Sequence, residues 1–106
     1  MNNNIVDDET LSDKWNAARY ETITRGRAKN NSQGTLDNLR RNTVYIGREF
    51  QEIGVYDPAE ITKESFTQWI ENLKQKPLGK STIKKRVTTL KGILEANKLQ
   101  EQEEFV

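Results

Sequence analysis

The sequence predicts an all-α domain built as a four-helix bundle, and three observations carry that prediction. Apolar residues recur at spacings of three and four, the period of a helix with one buried face. The periodic stretches are bracketed by Ser, Thr and Asp at their starts and by Gly and Pro at their ends, the ordinary punctuation of helices. Finally, 33% hydrophobic and 31% charged residues in a chain of 106 describe a polar-surfaced helical protein with one small core.

Taken in order, residues 1–9 are polar and acidic and read as a flexible arm. A first helix is expected from near Thr10 or Ser12 to about Thr24, with Leu11, Trp15, Ala18 and Ile23 inward and Gly26 ending it. Trp15 shares its neighbours' spacing and reads as a core residue. Thr35 is the expected N-cap of a second helix, Leu36 to Ile53, with Gly54 just past its end. Its buried face is Leu36, Leu39, Thr43, Ile46, Phe50 and Ile53. Asp57 before Pro58 predicts one short turn. Thr62 then caps a third helix, Lys63 to about Gln75, with Ile61 and Phe66 as a hydrophobic staple and Phe66, Trp69 or Ile70, and Leu73 inward. Pro77 closes that helix and Ser81 is expected to cap the fourth, whose inner face is Ile83, Val87, Leu90 and Leu94. From Ala96 the chain turns acidic and shows no closing cap. The domain is therefore set at residues 10–99, with 100–106 as a linker.

Charge is unevenly placed. Lys74, Lys76, Lys80, Lys84, Lys85, Arg86 and Lys91 follow one another with no acid between Glu71 and Glu95. The rest of the chain holds ten cations against sixteen acids, although the overall net charge is +1. A second basic zone holds Arg25, Arg27, Lys29, Arg40, Arg41 and Arg48 against the single acid Asp37. Cations near a helix N-terminus oppose its dipole, so Lys84, Lys85 and Arg86 are poorly placed for stability alone and point to an anionic partner. Short hydroxyls beside lysines, and Gly92, allow a close approach to a nucleic-acid groove.

Other chemistries find little support. With no Cys and no His there is no disulfide, thiolate metal site or Ser-His-Asp triad. No calcium loop or phosphate-binding glycine loop is present, and no cofactor is expected. No run approaches the roughly 20 apolar residues of a membrane span. The N-terminus has neither the basic nor the apolar region of a secretion signal. A cytoplasmic protein that does no catalysis by itself is the expectation.

With the helices placed, the order Thr35-Leu36-Asp37-Asn38-Leu39-Arg40-Arg41-Asn42, Ile61-Thr62-Lys63-Glu64, then Ser81-Thr82-Ile83-Lys84-Lys85-Arg86 resembles the N-terminal core-binding domain of tyrosine recombinases, the phage integrase family. The resemblance covers about residues 10 to 99. It implies a SAM-like orthogonal four-helix bundle that clamps a recombination core site in double-stranded DNA. It also implies that the helices near Thr35 and Ser81 approach the major groove, with Arg40, Arg41, Lys84, Lys85 and Arg86 as contacting cations. The chain departs from the family at Leu39, where an aromatic is usual, and at Asn42, where an acid is usual. The family's catalytic residues have no counterpart here, and none of Tyr20, Tyr45 and Tyr56 is read as the nucleophile. The chain is thus expected to be a fragment of a larger recombinase or a stand-alone remnant. Its partners would be DNA, its own catalytic domain and neighbouring protomers.

The combined reading makes Arg40, Arg41, Arg48, Lys80, Ser81, Lys84, Lys85, Arg86, Thr88, Thr89 and Lys91 the DNA-binding set. The cations serve phosphates, while Lys85, Thr88 and Thr89 reach base edges. The competing reading is a helical protein-interaction module whose basic helix meets an acidic partner, including its own acidic tail. A carboxylate-based hydrolase would need two converging acids, and no spacing in the sequence requires that.

Overall fold

Ser12 starts the first helix. Its hydroxyl accepts the amide hydrogen of Trp15 at 3.2 Å and its own Oγ donates to the Tyr56 carbonyl. In a computed structural model that describes residues 7–106, this opens α1 (Asp13–Ala28), followed by α2 (Gln33–Glu52), a 3-10 turn (Pro58–Glu60), α3 (Lys63–Gln75), α4 (Lys80–Ala96) and a one-turn α5 (Gln100–Glu103). There is no strand among the described residues, and the molecule is an all-α bundle. No described helix is long and apolar enough to cross a membrane. Residues 1–6 of the expected arm lie outside the described residues.

Helix α1 lies against both α2 and α4, which pack on each other, and α3 leans on α2. Their shared core is aromatic at its centre. Phe50 stacks between Trp15 and Trp69, with ring centroids 5.7 and 4.9 Å away. Such pairs add about 0.5–1.5 kcal/mol each beyond their buried area. Each indole N–H has an acceptor: Trp15 donates to the Val55 carbonyl and Trp69 to the Glu49 carboxylate, both at 3.0 Å. Leu73, Leu90, Ile93 and Leu94 are fully buried around them.

Helix ends are where the sequence reading and the structure part. Gly26 does not stop α1. It is buried inside the helix, where an added Cβ would stand 3.0 Å from Leu39 and 3.2 Å from Leu36, so the glycine permits close packing of α1 on α2. The chain reverses instead at Asn30, whose φ is 58°. Helix α2 is capped by Ser32, whose hydroxyl accepts the Thr35 amide, so Thr35 is its third residue. Helix α4 starts on Gly79 with no side-chain cap, which leaves Ser81 as its second residue and exposed. Thr62 does cap α3, and Ser65 completes a capping box by accepting the Thr62 amide at 2.8 Å.

Three helices end in the same turn. In α1, α2 and α4 the residues Asn31, Val55 and Leu99 return their amides to the carbonyls of Gly26, Phe50 and Leu94, and Asn30, Gly54 and Lys98 take positive φ. This double-bonded turn satisfies carbonyls that a helix end leaves open. At Gly54 φ is 87° and an added Cβ would meet nothing, so the cost of a side chain there is backbone strain alone. Gly54→Ala should lower stability by about 1–2 kcal/mol, read as a shifted denaturant midpoint at constant slope. An unchanged midpoint would contradict the turn.

Both ends of the described chain are held. Asp8 donates its amide to Asn16 Oδ1 at 2.9 Å and accepts the Thr10 amide at 2.8 Å, while Gln51 bridges Ser12 N–H and the Thr10 carbonyl, each at 2.8 Å. At the other end the expected linker folds back: Leu99, Phe105 and Val106 pack on the core and Gln102 donates to the Ala59 carbonyl at 2.8 Å. The physical reason is the Lys98 turn, which points the chain back at the bundle, together with the apolar pair at its end.

Candidate nucleic-acid interface

Helix α4 is buried along Arg86, Leu90, Ile93 and Leu94, with Ile83 and Val87 half-buried. At about 100° per residue this face is rotated by roughly 45° from the expected one, toward Arg86 and Ile93. Ser81, Lys84, Lys85 and Thr88 then stand on the opposite side, projecting away from the core.

These four residues and Thr89 form one wall of a groove of about 580 Å³ whose other wall is Thr35, Asn38, Leu39 and Asn42 of α2. Five of the expected site residues on α4 are thus brought together with the first three turns of α2, while Lys80, Arg86 and Lys91 do not line the groove. No acid lines the groove. Lys80, Lys84, Lys85 and Lys91 are exposed and form no ion pair among the described residues. Lysines without an ion-pair partner on a packed helix are available to an external anion. The acidic C-terminal residues Glu101, Glu103 and Glu104 make no described ion pair with them either.

The arginines fare differently. Arg86 belongs to the fold: it is buried, its Nη1 is bonded to the Glu49 carboxylate, and its guanidinium carbon lies 4.9 Å from the Tyr45 ring centre. Arg86, expected among the DNA-contacting cations, is thus engaged with Glu49 and does not line the groove. Arg40 lies roughly 140° around α2 from the groove-lining residues, and its Nη1 pairs with Asp37 at 2.8 Å. Arg48 stands away from the groove and turns to the N-terminal segment, donating to Thr10 Oγ1 at 2.7 Å, with Asp8 at 3.5 Å. Arg41 is exposed and tied to the groove wall by a 2.6 Å hydrogen bond to Asn38 Oδ1.

Among the described residues two titrating groups are perturbed, and neither lies in the groove. Hydrogen bonds from the Thr10 hydroxyl and amide, helped by the Arg48 and Arg19 charges, hold the Asp8 carboxyl below the usual carboxylate range. Burial pulls Arg19 below its ordinary value, against the opposing charges of Asp8 and Asp7. Arg19 donates to Thr43 Oγ1 at 3.1 Å and to the Arg40 carbonyl at 3.2 Å, so it ties α1 to α2.

The α2 side was expected through Arg40 and Arg41, whereas Thr35, Asn38, Leu39 and Asn42 line the groove. By sequence Thr35 reads as a cap and Leu39 as core, while Asn38 and Asn42 carry no charge. Their i, i+4 spacing does place both amides on one side of α2. The described residues contain no cluster of acids suited to a metal ion. Comparison with protein-family models, with curated proteins and with solved structures finds no match to this chain.

Proposed function

We propose that this chain is a double-stranded DNA-binding module, the core-binding domain of a cytoplasmic tyrosine recombinase that clamps a recombination site while catalysis is supplied by another domain. The observation that carries the reading is the acid-free groove between α2 and α4, lined by Ser81, Lys84, Lys85, Thr88 and Thr89. Lys80, Lys84, Lys85, Lys91 and Arg41 neutralise phosphates, a contribution that sets affinity and register without reading sequence. Hydroxyls and amides between them supply the directional contacts. The recombinase part of the reading rests on the sequence resemblance of residues 35–42 and 81–86.

An isolated module of this size should bind with a Kd on the order of micromolar or weaker. The test is fluorescence anisotropy of a labelled duplex at two salt concentrations. With four or five phosphates neutralised, affinity should fall roughly 150- to 500-fold between about 50 and 200 mM salt. Binding indifferent to salt, or no binding at the lower concentration, would overturn the proposal.

A further inference from the structure

Within the groove, the polar groups differ in how far they are already engaged. Asn38 has its side-chain oxygen occupied by Arg41 at 2.6 Å. Asn42, one turn further along α2 and half-buried, lines the same groove and makes no side-chain hydrogen bond to another described residue. Its amide therefore offers an acceptor oxygen and a donor nitrogen side by side. Lys85, Thr88 and Thr89 line the groove with it, and no carboxylate does.

We infer that Asn42 reads an adenine edge in the DNA major groove, an inference that rests on the DNA-binding reading above. An open amide matches the adenine N6 donor and N7 acceptor in a bidentate pair, whereas a lysine ammonium matches phosphate or guanine acceptors. The methyl groups of Thr88 and Thr89 suit the thymine C5-methyl of an A·T pair. Asn38, whose oxygen already accepts from Arg41, is oriented by that bond and holds Arg41 beside the groove.

The experiment is selection, at low salt, of duplexes from a library randomised over about one helical turn, using the unaltered chain and the variants Asn42→Ala, Asn42→Asp and Asn38→Ala. The unaltered chain should enrich adenine at one position by roughly 5- to 150-fold. Asn42→Ala should flatten that position alone, and Asn42→Asp should move its preference to cytosine, whose N4 donates to a carboxylate. Asn38→Ala should leave the adenine preference in place. Adenine enrichment that survives Asn42→Ala, or selected duplexes with no adenine position, would overturn the assignment and leave DNA binding standing. Failure of the unaltered chain to retain any duplex would overturn the DNA-binding reading itself. Asn42→Asp, close in size to the native residue, carries the test if Asn42→Ala fails to fold by circular dichroism.

Discussion

Glu49→Ala should remove a large share of the domain's stability. The Glu49 carboxylate is buried and accepts from both Arg86 Nη1 and Trp69 Nε1, so it joins α2 to α4 and α3 at once. Its removal leaves a guanidinium in the interior whose Nε already has no partner. Breaking one side of a buried ion pair costs about 3–5 kcal/mol, and the orphaned indole N–H adds about 1–3 kcal/mol. Domains of this kind are stable by only about 5–15 kcal/mol in total. Chemical denaturation checks it, with Arg86→Met added as a second substitution. The double variant should recover part of the loss, because an apolar side chain there needs no counterion. A single variant within about 1 kcal/mol of the parent would mean that the network carries no weight.

The same network shows what was legible in the sequence and what was not. Helical spacing placed Trp15, Ile46, Phe50, Leu73, Leu90 and Leu94 inside, because apolar burial is a property each residue carries with it. Arg86 escaped this logic. Its burial depends on Glu49, thirty-seven residues away on another helix, and on the Tyr45 ring, and no local pattern announces a pairing at that distance. Helix ends were legible where the signal was strong, as at Gly54, and hidden where Asn30 and Lys98 take a conformation usually left to glycine. Half of the groove was visible through its lysines. The α2 wall depended on knowing that α2 and α4 pack, which spacing within one helix cannot supply.

Because Arg86 is structural, reversing the whole Lys84-Lys85-Arg86 triplet would confuse binding with folding. Arg86→Glu would set two carboxylates against each other in the interior and should unfold the chain. Lys84 and Lys85 are separable from it. Both are exposed on α4, line the groove and make no described ion pair, so their substitution should change stability by no more than about 0.5 kcal/mol. Facing phosphates, however, two glutamates bring like charges together at a cost of several kcal/mol, roughly 100-fold or more in affinity. The decisive measurement is duplex binding at low salt by the Lys84→Glu, Lys85→Glu double variant, with its helical circular dichroism recorded beside the parent. DNA binding through the α2–α4 groove predicts a loss of roughly 100-fold or more with the helical spectrum unchanged. Parental affinity in a variant that folds as the parent does would contradict it.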